Sequence, residues 1–351
     1  MADESREELK RKLDALRARV DDLQGGVRLA AHHDRIEDLT TTLTVLPQRL
    51  AELRSRGYVF EKALEGKLDD LGARWPDVRE RVLSQVGREA RHLGRELRTV
   101  EQQVQQVSAR SSALPVMQAL LPPVQSAVDS LEQQVRAASG TIEGMYDQLE
   151  EQVGKLESRF RRVDWVLDQF SEATFPLLPS EAAVAAVRAR WDKDGKDDPA
   201  GVLYLTDQRL LFEQKQEIVT KRVLFIAREK RTIHELLLEV PVGALDSVRA
   251  SRRGLLGHED HIDVHFATEA PVTAAHFHLD GQDCEEWQAL ISKVKAGDFD
   301  RDRAVEMDLD LVERTRSAPT RCPVCNAPIT QRILRGMDRV ACDYCGHVTR
   351  L

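Results

Sequence analysis

The sequence predicts a multidomain chain: an all-α coiled-coil or helical-bundle region, then a β-rich barrel closed by a helix, then a small metal-stabilised tail. Three observations predict it. Apolar residues step by four and three through the first 170 or so positions. The period then shortens to two, with turn residues between short apolar runs. Two Cys-x2-Cys pairs close the chain. The expected boundaries are 1–174 for the helical region, 177–296 for the β-rich domain, 297–319 for a linker and 320–351 for the tail.

The helical stripe is legible residue by residue. It runs through Leu9, Leu13, Leu16, Val20 and Leu23, and resumes at Ile36, Leu39, Leu43, Leu46 and Leu50. Later runs include Leu68, Leu71, Trp75 and Val82, then Leu93, Leu97, Val100 and Val104, then Met117, Leu121, Val124, Val128 and Leu131. Alternating steps of four and three keep one face apolar on a slightly underwound helix, which is the condition for knobs-into-holes packing. Gly25-Gly26, Pro47, Gly57, Pro76, Pro115 and Pro122-Pro123 interrupt the pattern. Each removes or weakens a backbone hydrogen bond, so three to five helices are expected. They fold back as an antiparallel bundle or pair with a second copy in a homo-oligomer. A spacer or oligomerisation element is the plain reading. A membrane-shaping helical hairpin is the sharper one, against which the mixed sign of the polar face counts.

Pro176 and Pro179 mark the end of the helical pattern. A short helix is expected over 181–191, then a turn in DKDGKDDPAG. Gly201–Thr206 and Arg209–Glu213 flank Asp207-Gln208 as the two arms of a hairpin. Further strands are expected over 221–227, 236–240, 247–250, 261–267 and 274–279. A closing helix over 283–295 would carry Trp287, Leu290, Ile291 and Val294 on one face. Six or seven strands and one helix suit a small, strongly bent sheet or partly open barrel.

The stretch Gly-Val-Leu-Tyr-Leu-Thr-Asp-Gln-Arg-Leu-Leu-Phe, the Val240-Pro-Val242 step and the terminal helix with its Trp carry a resemblance. Residues 177–296 resemble the GRAM and bacterial pleckstrin-homology-like (PH-like) domains. The resemblance implies a non-catalytic module that engages membranes, lipid headgroups or protein partners.

Two places in this domain are candidates for binding. Arg249, Arg252 and Arg253 precede Gly-Leu255-Leu256-Gly. This is either a basic loop whose apolar tip enters a membrane interface or a turn whose two leucines pack back on the domain. Lys221, Arg222, Arg228, Lys230 and Arg231 form a second basic cluster, read as a solvated face because Glu229, Glu235 and Glu239 interrupt or follow it. On the strand from 261, His261, Asp263 and His265 lie opposite Ile262, Val264 and Phe266, and on the next strand His276 and His278 lie opposite Phe277. A symmetric hairpin would set His265 across from His276 and Asp263 across from His278. Such a face binds a divalent metal, titrates between about pH 5 and 7, or is an ordinary exposed strand face.

The tail carries the most specific chemistry. Cys322-Pro-Val-Cys325 and Cys342-Asp-Tyr-Cys345 are separated by 16 residues, within the spacing of zinc sites. Four thiolates make a closed tetrahedral site, so one structural Zn2+ is expected, with no open position for catalysis. Residues 320–351 resemble a zinc ribbon, a module too small to fold without its metal. Disulfides are the alternative, disfavoured in a cytosolic chain. Five arginines against two aspartates would suit phosphate contacts, yet only Tyr344 could stack on a base.

Composition sets the outer limits. Formal net charge is −8, so the whole chain has no electrostatic preference for nucleic acid or anionic lipid, and any such binding needs a local patch. Aromatics are 5% of residues, too few for one large globular core. No apolar run is long enough for an ordinary membrane span, and MADESREELKRKLDAL lacks the apolar core of a secretory signal. The expected location is cytoplasmic, with peripheral membrane association. Neither a nucleophile–base pair nor a phosphate loop is legible, so no enzymatic activity or small-molecule substrate is expected. The function read from these modules is a cytosolic adaptor or scaffold. It multimerises through the helices, docks through the PH-like domain to an anionic membrane surface or a protein, and makes a second contact through the ribbon. The alternatives are a nucleic-acid-associated factor that binds through the ribbon and a membrane-shaping helical protein.

Overall fold

The computed structural model describes residues 2–110, 113–178, 180–193, 198–223, 226–254, 258–268, 270, 272–305, 321–329 and 339–350, with backbone alone at 2–5 and 217–232. Leu255 and Leu256 lie outside the described residues, as do Arg332, Arg335 and most of the expected linker. The chain forms two compact units, Met1–Gln48 with Gly66–Ser158, and Arg49–Glu65 with Arg159–Leu351.

Five long helices carry the apolar stripe: α1 (Ala2–Gly26), α2 (Ala30–Ser55), α3 (Leu64–Ala109), α4 (Leu114–Glu143) and α5 (Asp147–Ser171). Polar contacts in the first unit set their directions. Arg19 donates to Asp129 at 2.5 Å and Glu132 at 2.8 Å, and His32 lies 2.8 Å from Ser139 Oγ and 2.9 Å from Tyr146 Oη. Arg35 pairs with Glu150. Both residue numbers rise together, so α1 and α2 run parallel to α4 and α5. Gln24 meets Glu101 at 3.2 Å and Trp75 donates to Thr40 at 3.0 Å; here one number rises as the other falls, so α3 is antiparallel to both. The result is a three-stranded helical bundle in which two strands are each interrupted once, at 27–29 and at 144–146.

The stripe residues Leu16, Val20, Ile36, Leu46, Leu93, Val104, Met117, Val128 and Leu131 are all buried within this one chain. Pro47, Pro76 and Pro122-Pro123 lie inside helices rather than at their ends. An interior proline costs about 3 kcal/mol, which burial of a continuous apolar face such as that of Trp75 and Val82 offsets. Helix ends coincide with Gly26 and Pro115, and Gly57 with φ +98° follows the end of α2.

The β-rich domain is a seven-stranded antiparallel sheet: β1 (Ala183–Asp192), β2 (Ala200–Thr206), β3 (Arg209–Val223), β4 (Ile226–Pro241), β5 (Leu245–Arg253), β6 (Glu259–Phe266) and β7 (Ala274–Leu279). Its order is β4-β3-β2-β1-β7-β6-β5. β1 pairs with β2 over most of its length and with β7 at its last four residues, so it passes from one half of the sheet to the other. The helix α6 (Cys284–Ala296) follows the last strand and closes the core with Trp287, Ile291 and Val294. This strand order with one terminal helix is a PH-like fold. The core is filled by Trp191, Phe212 and Phe277, whose ring centroids lie 5.4–5.8 Å apart, with Leu203, Leu205, Ile262 and Val264 around them.

Two expectations fail here. Residues 183–192 form the strand β1, not a helix. The Ala- and Arg-rich segment has helical propensity, but Ala185, Val187, Ala189 and Trp191 point alternately into the core, and that period of two decides the conformation. The strands expected separately at 209–213, 221–227 and 236–240 are one long hairpin, β3–β4, that includes the charged stretch from Gln214.

Candidate functional site

The motif that carries the family resemblance is occupied with holding the domain together. Gly201 lies so close to β3 that a Cβ would sit 2.0 Å from the Glu213 carbonyl oxygen, so no side chain fits. Tyr204 is buried against Phe170 and Phe175, and its hydroxyl lies 3.1 Å from Glu213 Oε2. At the β2–β3 turn the Thr206 hydroxyl accepts from the N–H groups of Gln208 and Arg209 at 3.0 and 2.7 Å and donates to Glu181 at 2.5 Å. Asp207 accepts from the Ala182 N–H at 2.8 Å and pairs with Arg303. Arg209, 3% exposed, donates to Glu181, Glu239 and the Pro176 carbonyl. The motif is thus a clasp binding the segment that enters the domain and the segment that leaves it.

On the outer face of β6 and β7 the histidines form a stack. His261 opposes His278 and Asp263 opposes His276, so the pairing is shifted by two residues from the symmetric hairpin expected, and His265 faces Ala274. The His261 ring lies 5.0 Å from His276 and 4.7 Å from His278, nearly parallel to both. His261 Nδ1 is 3.0 Å from His276 Nε2, and His276 Nδ1 is 2.6 Å from Asp263 Oδ1. His261 Nε2 is buried without a hydrogen bond, the Glu259 carboxylate standing 3.6 Å away. Burial first, then the neighbouring His278, His276 and Arg253, holds His261 below the usual imidazole range; Glu259 acts in the opposite sense. Arg249 and Arg253 on β5 and Arg190 and Asp192 on β1 complete the charged groups of this face.

The arginines expected to contact lipid are engaged with carboxylates. Arg252 donates to Asp283 at 2.7 Å and lies near Asp260 and Glu285, and Arg253 lies 3.4 Å from Asp263. Asp283 in turn caps α6, accepting from the N–H groups of Glu285 and Glu286. Arg249 is exposed and opposes Asp263 across the β5–β6 ladder. Arg252 also supplies the positive charge beside the cluster of Asp260, Asp283 and Cys284. A shallow cleft lies along Tyr58, Arg159, Arg162, Val163, Val184 and Leu290, but its cations are spent: Arg159 pairs with Glu61 at 2.7 Å and Arg162 with Glu286 at 2.6 Å.

The four tail cysteines come together as a centre. Their sulfurs all lie within 4.8 Å of one another, with Cys322–Cys345 and Cys325–Cys342 each at 3.6 Å. A tetrahedron with Zn–S bonds of about 2.3 Å has edges of about 3.8 Å, close to these separations. Two similar turns build the site. The Asn326 N–H donates to the Cys322 carbonyl and the Gly346 N–H to the Cys342 carbonyl, both at 2.9 Å. Asn326 at φ 57° and Gly346 at φ 72° take the left-handed conformation that each turn needs. The short strands β8 (Arg339–Ala341) and β9 (Val348–Arg350) frame the second turn. The Cys325 N–H, donating to sulfur, holds Cys322 down to about 6. Cys345, despite a similar bond from His347, is pushed up to about 12 by the other thiols beside it. Four thiolates at this spacing need a dication between them. The donor set therefore fits zinc.

No known protein family matches the chain, and no curated protein is similar to it. Weak structural likenesses include the C-terminal domain of an unknown protein from Leishmania infantum, 15% identical, covering 32% of this chain and 84% of that one, at a TM-score of 0.22. The Slm1-PH domain in complex with inositol-4-phosphate is 11% identical, over 32% of this chain and 95% of that one, at 0.22. The DH/PH domains of p115-RhoGEF are 14% identical, over 81% and 92%, at 0.24. Likenesses at these scores say nothing about what this chain binds.

Proposed function

We propose that this protein is a non-catalytic docking protein whose PH-like domain, of the GRAM or bacterial kind, engages an anionic membrane surface. The zinc-ribbon tail provides a second contact and the helical bundle serves as its scaffold. The observation that carries this reading is the distribution of charge on a domain with a filled interior. Trp191, Phe212, Phe277 and Trp287 occupy the core at 0–3% exposure, so a ligand is met from outside. In a chain of net charge −8, residues 218–231 hold five cations and one carboxylate. Such a local patch draws the domain to an anionic surface even though the whole chain is acidic.

The bundle buries within one chain the apolar stripe that a second copy would need, so docking is proposed for a single copy. No helix among the described residues is long and apolar enough to cross a membrane, so attachment would be peripheral. Co-sedimentation of the zinc-loaded full chain with anionic and neutral vesicles tests the proposal. Pelleting with anionic vesicles alone, lost as salt is raised, is the expected result. Failure to pellet with any anionic vesicle would remove the membrane and leave docking to a protein.

A further inference from the structure

The β3–β4 hairpin outruns the sheet that carries it. β2 pairs with β3 only as far as Gln214, yet the β3–β4 ladder continues from Lys215 opposite His234 to Val223 opposite Ile226. Nine residues at about 3.3 Å each make a two-stranded arm of about 30 Å. Among the described residues no third strand joins it. A two-stranded ribbon standing alone is marginal in water and gains stability when something covers it.

The sequence on this arm is sorted by distance from its end. Val223 and Ile226 form the last described pair, with Ala227 next. Immediately behind come Lys221 and Arg222 on one strand and Arg228, Lys230 and Arg231 on the other. Glu229 is the one carboxylate among them, at the register position of Lys221. Elsewhere on the domain the charge does not suit an anionic surface. The β1–β2 connection holds Asp192, Asp194, Asp197 and Asp198 against Lys193 and Lys196, and Arg252 and Arg253 are paired with carboxylates.

We infer that the β3–β4 arm is the membrane-contacting element, its apolar end entering the interface of an anionic bilayer while the cations behind it meet lipid phosphates. The inference rests on the docking function proposed above and names the part of the chain that performs it. An apolar end with cations next along both strands matches the layering of a bilayer, acyl chains below and phosphates above, and does not match nucleic acid, whose phosphates would face the apolar residues first.

The test is co-sedimentation of the zinc-loaded full chain with phosphatidylcholine vesicles, with and without phosphatidylserine. Charge reversal at Lys221→Glu, Arg222→Glu, Arg228→Glu and Lys230→Glu together should lower partitioning onto serine-containing vesicles at least about tenfold. Val223→Ser with Ile226→Ser should lower it severalfold while leaving the salt dependence intact. Arg17→Glu, Arg74→Glu, Arg81→Glu and Arg95→Glu, exposed positions on the helices, change the net charge equally and should leave partitioning close to wild type. The melting temperature of each variant confirms that the chain is folded. Equal binding by the wild type and both arm variants would overturn the inference and leave the docking function standing; equal loss in the helix variant would overturn it as a site. Absence of wild-type binding would overturn both together.

Discussion

Arg209 grips Glu181 with two hydrogen bonds, Nε to Oε1 at 2.9 Å and Nη2 to Oε2 at 2.6 Å, and the two side chains are 4% and 0% exposed. A third bond runs from Nη1 to Glu239, whose side chain is 33% exposed. Removing one partner of a buried pair strands the other charge. Arg209→Ala and Glu181→Ala should therefore each cost about 3–5 kcal/mol. Glu239→Ala should cost under about 1 kcal/mol, because water already reaches that carboxylate. Urea unfolding followed by tryptophan fluorescence measures all three. Equal losses at Glu181 and Glu239 would show that burial does not control this network.

Two glycines should respond in opposite directions. At Gly201 a Cβ would meet backbone, the Glu213 carbonyl, at 2.0 Å, and Gly201→Ala should destabilise by about 1–3 kcal/mol. At Gly72, inside α3, nothing lies within 4 Å of the added carbon. Gly72→Ala should stabilise by about 0.5–1 kcal/mol through helix propensity. Thermal melts of the two variants give the signs directly.

The cysteine centre should hold one zinc ion per chain, measured by elemental analysis. Cys322→Ser or Cys342→Ser should release it, since these are the two buried ligands. Chelation should unfold the tail and leave the melting of the PH-like domain unchanged, because a module this small depends on its metal for folding. A zinc-free chain with unaltered amide exchange protection at Cys322, Asn326, Cys342 and Gly346 would refute the assignment.

Because Leu46, Val104, Met117, Val128 and Ile142 are buried within a single chain, light scattering should return the mass of a monomer. Of the large apolar side chains of α1–α4, only Val45 is exposed at half its area or more among the described residues. A dimer would mean that the bundle opens or that another surface pairs.

What could be read from residue order alone followed the strength of each local constraint. The apolar stripe of the helices and the two Cys-x2-Cys turns repeat a short pattern, and both survive in the structure. The helix expected at 181–191 became β1 because core contacts of Val187 and Trp191 with distant strands overrode the helical propensity of its alanines. Asp263 met His276 instead of His278, and His265 met Ala274 instead of His276, because strand register depends on the 267–273 connection, whose length does not fix which residues extend the ladder. The roles of Thr206, Asp207 and Arg209 were hidden for another reason. Their partners Glu181, Ala182, Glu239 and Arg303 lie 25 to 96 positions away, and nothing in the motif names them.

The histidine stack carries a pH dependence whose sign follows from burial. His261 is held below the usual imidazole range in the folded domain, first by burial and then by His278 and His276. Unfolded, it takes up a proton near the ordinary value of about 6.5. Between the folded and unfolded values the unfolded chain therefore binds more protons, and stability rises with pH through that window. Its contribution is fully present above about pH 6.5 and is lost as pH falls toward the folded value. His32, lowered by burial between Ser139 and Tyr146, acts in the same sense in the helical unit. The melting temperature should thus drop between pH 7.5 and 5.5, and His261→Gln should flatten the drop for the PH-like domain without affecting that of the helices. His32→Gln should do the reverse. If neither substitution changes the slope, protonation of other groups governs acid stability and the buried imidazoles are incidental to it.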